Sequence, residues 1–151
     1  HIKAMSKAVT PALRGTRAQE DYLEQILTLI EDKGYARVVD IARNLGIAQA
    51  SVTGMIQRMD TDGLVTYEKY RGVILTQAGE DIARAIVKRH ESLAEFFALF
   101  GLDEKSIYDD IEGIEHHMSQ PILATIQALT GELERQPALL ERVKKKMARS
   151  V

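Results

Sequence analysis

Cysteine is missing from all 151 residues, which rules out a disulfide framework and any thiolate metal site. No apolar run is long enough to span a bilayer and no signal-peptide core opens the chain, so the cytoplasm is the expected location and no membrane partner is expected. Low-complexity linkers and internal repeats are also missing, so two halves sharing a common spine are expected. Neither sign of charge dominates: 20 Lys and Arg face 22 Asp and Glu, and the net −2 does not advertise a nucleic-acid partner. Residues 1–72 nevertheless carry 10 basic against 9 acidic side chains, while residues 73–151 carry 10 against 13. The N-terminal half is the more basic one, by a margin that an ordinary solvated surface also produces.

The chain does have enough apolar material, 45%, to fill one core or two small ones. Residues 1–4 read as an expression scar before a start at Met5, within a flexible tail over residues 1–15. From residue 16 to 33 the apolar positions Tyr22, Leu23, Ile26, Leu27, Leu29 and Ile30 recur at helical spacing, and Gly34 is a natural stop. "VVDIARNLGI" (38–47) predicts a short helix with Val38, Ile41, Ala42 and Leu45 inward, closed by Gly46. "QASVTGMIQRMDTDG" (49–63) predicts another, with Val52, Ile56 and Met59 inward. Then "LVTYEKYRGVILT" (64–76) shifts the period from 3.6 to 2 around a turn at residues 69–72, predicting a two-stranded wing. A long helix is expected over 77–100 and a shorter one over 103–117; a third opens at Ser119 and Pro121, and a basic one covers about 139–149.

This order predicts a mainly α protein: a winged helix-turn-helix over 16–76, then an all-helical domain over 77–151. Two short helices around a glycine turn also occur in proteins that never touch DNA, and the hairpin placed directly after them is what favours DNA. In that geometry the second helix enters the major groove, with Gln49, Ser51, Thr53 and Gln57 able to read base edges or hold phosphates and Arg58 facing the backbone. Lys69, Tyr70 and Arg71 at the wing tip would grip flanking phosphates. Gly54, in mid-helix, costs roughly 0.5–1 kcal/mol relative to alanine and is read as permitting close approach to DNA.

"EGIEHH" (112–117) is the densest chemistry in the chain. On a helix Glu112, Glu115 and His116 stand at i, i+3 and i+4 on one face, while His117 points about a hundred degrees away. Asp21 and Glu24 repeat the i, i+3 spacing in the first helix, and His90 lies midway down the long one. Four carboxylates and two imidazoles without a thiolate suit a moderately hard divalent ion such as manganese or ferrous iron. Acidic pairs at this spacing are also ordinary solvated faces, and spacing alone does not show that three helices meet.

Beyond residue 16 the chain resembles the diphtheria toxin repressor family of metal-dependent transcription regulators, most closely its two-domain manganese transport regulator branch. The resemblance rests on "EDYLEQI" (20–26), "KGYARVVDIA" (33–42), "SVT" (51–53), "YEKYRGVILT" (67–76), "RHE" (89–91) and "EGIEHHMS" (112–119), all in the same order. It implies a homodimer that binds a double-stranded DNA operator as a repressor of metal-homeostasis genes. It also implies a dinuclear site with ligands at Asp21, Glu24, His90, Glu112, Glu115 and His116, two Mn2+ per subunit. In the iron-responsive branch the positions of Asp21 and Glu112 typically carry methionine and cysteine. Carboxylates there point to manganese, with Fe2+, Co2+ or Cd2+ as other possible occupants. That branch usually adds an SH3-like domain, for which this chain is too short.

Three rivals stand beside this reading. An iron-responsive repressor, or a winged-helix regulator of a small organic ligand, would share the N-terminal half, the latter leaving six ligand-type residues unused. A binuclear hydrolase or oxidase would need an open coordination position and a separate acid or base, for which the sequence offers no motif, so no enzyme is expected.

Overall fold

The computed structural model describes residues 15–68 and 70–150. Among the described residues seven helices and one hairpin follow in order: α1 (Arg17–Lys33), α2 (Val38–Leu45), α3 (Gln49–Thr61), β1 (Val65–Glu68), β2 (Gly72–Leu75), α4 (Gln77–Ala98), α5 (Tyr108–Glu115), α6 (Gln120–Glu134) and α7 (Pro137–Ser150). No described helix is long and apolar enough to cross a membrane. The chain divides into two compact units, residues 1–86 and 87–151, with the division inside α4.

In the first unit α1 starts at a reciprocal cap that the sequence reading did not anticipate. The Gln19 amide N–H donates to the Thr16 hydroxyl at 3.2 Å, and the Thr16 N–H donates to the Gln19 side-chain oxygen at 3.1 Å. Two of the four orphaned amides of a helix start are thereby satisfied locally. Gly34 ends α1, as its place in the sequence predicted, and takes the left-handed conformation at φ 82°. Leu23, Ile26 and Leu27 from α1 are buried, as are Ile41 from α2 and Val52, Ile56 and Met59 from α3. Fully burying each such side chain contributes about 1.5–3 kcal/mol. The turn between α2 and α3 closes at Gly46, φ 68°, where the Ile47 N–H donates to the Ala42 carbonyl at 3.0 Å.

β1 and β2 pair antiparallel, with Val65 opposite Leu75 and Glu68 opposite Gly72. A third piece of backbone joins them, since the Val73 N–H donates to the Ala36 carbonyl at 2.8 Å. Gly72 sits at φ 81°, where a Cβ would collide with that same carbonyl oxygen. Thr76 then fixes the start of α4: its hydroxyl donates to the Gly63 carbonyl at 2.7 Å and accepts from the Gly79 N–H at 3.1 Å. The hydroxyl thus binds the loop after α3 to the first turn of α4.

In the second unit Leu93, Ile111, Met118 and Leu123 form the core, with Ala94, Phe97, Ile107 and Ile126 packed around it. Here one expectation needs correction. The helix predicted over 103–117 covers only Tyr108–Glu115, because the Asp103 carbonyl draws in the Ser106 N–H, the Ser106 hydroxyl and the Ile107 N–H and closes a separate turn. Ser119 does occupy the N-cap of α6, with Pro121 in its first turn, but makes no side-chain capping bond.

Two glycines should respond oppositely to alanine. A Cβ on Gly79 would strike the Leu64 carbonyl, so Gly79→Ala should cost about 1–3 kcal/mol through overpacking. Gly54 is exposed, with nothing within 4 Å of an added Cβ, so Gly54→Ala should stabilise by roughly 0.5–1 kcal/mol. Thermal or urea unfolding checks both; equal midpoints for the two variants would contradict the packing argument.

Candidate metal centre and nucleic-acid interface

α5 is only two turns long, yet its last turn carries Glu112 and Glu115, and His116 follows as C-cap with helical dihedrals, φ −75° and ψ −20°. The predicted i, i+3, i+4 face therefore survives the end of the helix. Ile111 on one side and Met118 just beyond are anchored in the core, which fixes the rotation of that face. His90 meets it from α4. Its Nδ1 lies 2.8 Å from Glu115 Oε2 and 3.7 Å from Glu112 Oε1. On the other side His116 Nε2 lies 3.7 Å from Glu112 Oε2 and 3.6 Å from Glu115 Oε1. His90, Glu112 and Glu115 offer ligand atoms that all lie within 4.8 Å of one another. His117, predicted to face away, is exposed.

Burial makes this cluster costly. Glu115 is wholly buried and the His116 side chain is 1% exposed, so two carboxylates share a place with little water to screen them. Such charges persist only when paired or bound to a cation. His90 supplies part of the answer: burial alone would lower its pKa from 6.5, but hydrogen bonds to Glu104 and Glu115 and their charges outweigh that, and the net shift is upward. The donor set, two oxygen-bearing and two nitrogen-bearing side chains with no sulfur, fits a divalent ion of the manganese or ferrous type. Asp21 and Glu24 lie in α1, in the other compact unit, and both are half-buried there.

Glu104 is the residue that sequence reasoning missed. Its Oε1 lies 2.7 Å from His90 Nε2, across a gap of 14 positions that no helical or strand period links.

In the first unit, α3 buries Val52, Ile56 and Met59 and leaves Gln49, Ser51, Thr53, Gln57 and Arg58 exposed. Short polar and amide side chains so displayed can bond base edges, and the Arg58 cation can bond phosphate. At the wing Tyr70 is 86% exposed. Arg71, expected to be free for phosphate, instead pairs with Glu68 at 3.5 Å, an exposed contact that a stronger anion can displace at little cost. Lys69 and the tail over 1–14 lie outside the described residues. Beside the wing, the Arg37 guanidinium stacks 4.6 Å over the Tyr35 ring, a pair that had no place in the sequence reading.

Comparison with known proteins gives one consistent answer. Residues 16–73 match the family described as iron dependent repressor, N-terminal DNA binding domain, and residues 76–143 match iron dependent repressor, metal binding and dimerisation domain. The chain is 46% identical over 128 residues to the HTH-type transcriptional regulator MntR of Lysinibacillus sphaericus, covering 85% of this chain and 92% of that protein. It is 56% identical over 104 residues to the protein of that name from Bacillus pumilus, covering 69% and 72%. The crystal structure of T. acidophilum IdeR superposes with a TM-score of 0.66 at 26% identity, over 74% of this chain and 53% of that one, so this chain spans about half its length.

A pH dependence follows from His90. Because its folded pKa is raised, protonation stabilises the metal-free protein fully below 6.5, and that stability is lost as pH rises through the raised value. Metal affinity should run the other way, since the Nδ1 proton must leave before the nitrogen can ligate. Melting curves with and without MnCl2 across this window should show metal-free stability falling and metal-induced stabilisation growing with pH. A metal-free melting temperature that rises through the window would contradict the assignment.

Proposed function

The chain belongs to the iron dependent repressor family, and on that premise we propose that it is a repressor brought onto its operator by manganese at a dinuclear site. It is a homodimeric, DNA-binding, metal-binding transcriptional regulator and not an enzyme. The observation that carries the finer reading is the way the carboxylates are shared. Glu112 and Glu115 each turn one oxygen toward His90 and the other toward His116. Carboxylates so placed would join His90 and His116 in holding more than one divalent ion, supplying the negative charge that such ions need.

Asp21 and Glu24 complete the proposed ligand set on the strength of their type and of the family resemblance. Glutamate at 112 and aspartate at 21 harden the site and favour Mn2+ over Fe2+. A bound divalent ion would supply the positive charge that the crowded carboxylates Glu112 and Glu115 lack. With that repulsion relieved, Asp21 and Glu24 would hold α1, and with it the DNA-binding half, in one arrangement. In the dimer this restricts two copies of α3 to a spacing of roughly 34–36 Å or a multiple, the distance between successive major grooves. Metal and DNA thereby favour the same state, which is a coupling between sites.

We assign base reading to Gln49, Ser51, Thr53 and Gln57, and backbone contact to Arg58, Lys69, Tyr70 and Arg71. The open space around Gly54 supports close approach of DNA, since nothing in the chain's own packing demands glycine there. We place the working boundary between the DNA-binding and metal-binding halves at 76/77 and the protein in the cytoplasm, where an operator is accessible.

The test is fluorescence anisotropy with a labelled duplex, recovered from a random library on manganese-loaded protein, titrated with manganese, ferrous iron and zinc in turn. Manganese should give the tightest DNA binding. Glu24→Gln should abolish metal-activated binding while folding survives, and His117→Ala should match the parent. Activation by iron alone would replace manganese with iron, and full activation of Glu24→Gln would remove α1 from the ligand set.

A further inference from the structure

His90 is held at both ring nitrogens, and the two partners differ in kind. On the Nδ1 side stands Glu115, wholly buried and shared with His116. On the Nε2 side stands Glu104, whose side chain is 54% exposed and which belongs to the turn between α4 and α5. That turn is tightly made. Gly101 takes φ 79°, the Leu102 N–H donates to the Phe97 carbonyl at 3.2 Å, and Ser106 and Ile107 both close on the Asp103 carbonyl. Ile107 then packs against the core, so the backbone on both sides of Glu104 is anchored. The Tyr108 ring flanks the imidazole, its centroid 5.8 Å away.

We propose that Glu104 is a positioning residue for the metal centre: it accepts the Nε2–H of His90, fixing the tautomer and ring plane that leave Nδ1 to bind metal. The inference rests on the reading of His90 as a ligand. Its chemistry is general. A neutral imidazole carries one N–H, and a metal needs the other nitrogen bare; a carboxylate on the far nitrogen selects the correct tautomer and makes the near one more basic. Only Nδ1 faces Glu112 and Glu115, and only Nε2 faces Glu104, so the ring cannot serve the metal through its other nitrogen without losing both sets of contacts. Glu104 is not placed among the ligands, because the imidazole stands between it and the buried carboxylates.

The experiment compares parent, Glu104→Ala and Glu104→Gln, with two readouts. Manganese affinity is taken from the electron paramagnetic resonance of free Mn2+, and ring protonation from long-range proton–nitrogen spectra of 15N-histidine protein, metal-free and loaded with Cd2+ as a diamagnetic probe. Glu104→Ala should weaken Mn2+ binding by about 10- to 100-fold and shift the His90 ring signals while those of His116 stay in place. Glu104→Gln, whose amide oxygen still accepts the Nε2–H, should recover most of both. Unchanged affinity and ring signals in Glu104→Ala would overturn the proposal, as would Glu104→Gln as weak as Glu104→Ala. A parent that binds no Mn2+ would overturn the metal reading itself, and the metal-free spectra, in which parent and Glu104→Ala differ only by the Glu104 bond, tell that failure apart.

Discussion

The wholly buried carboxylate of Glu115, set beside Glu112 at the C-terminal end of a two-turn helix, is the constraint on which the second unit depends. A helix C-terminus carries partial negative charge, so anions there are disfavoured even before they repel one another. Desolvation adds to the cost. Three unfavourable terms at one point make cationic compensation favourable there. The chain provides part of this in His90, whose hold on a proton burial weakens but hydrogen bonds to and the charges of Glu104 and Glu115 strengthen, with a net upward shift. A divalent ion provides twice the charge at the same place. The apolar anchors Leu93, Ile111, Met118 and Leu123 matter here because they keep the carboxylates from swinging out to water, the ordinary escape of a crowded acidic pair.

The first unit answers a different demand. A recognition helix must present polar side chains at fixed positions, so its apolar side must be held rigidly. Val52, Ile56 and Met59 do this from within α3, and the Gln19 amide, donating to Asp62 at 2.8 Å, ties the start of α1 to the end of α3. Thr76 and Gly79 then leave no freedom where α4 begins, and Gly72 presses the wing onto Ala36. These contacts tie α1, α3, the wing and the first turn of α4 into one body.

Much of this was legible in the sequence because it is periodic. The apolar spacing in residues 16–33, the change to period 2 at the wing and the i, i+3, i+4 placement of Glu112, Glu115 and His116 are local patterns, and local geometry enforces them. The arrival of His90 at that face depends on packing between α4 and α5, which spacing alone could not give and which the family resemblance implied. What stayed hidden is non-periodic. Glu104 reaches His90 from a turn whose form depends on Asp103, Ser106 and Ile107, and the sequence there resembles the start of a helix, which is why α5 was expected five residues too early. The Gln19 cap was hidden for a related reason, since glutamine can replace the more familiar glutamate in that role only if its amide faces the right way.

Selectivity among metals is a narrower question than affinity, and the geometry bears on it through a single residue. Glu112 reaches both imidazoles at 3.7 Å, one oxygen to each, while keeping partial access to solvent. A thiolate at this position would offer one soft atom in place of two oxygens. A carboxylate offers two hard oxygens, one toward each imidazole. Glu112 therefore determines both the reach and the hardness of the donor set. The two properties are inseparable at this position, because the oxygens that reach both imidazoles are themselves the hard donors.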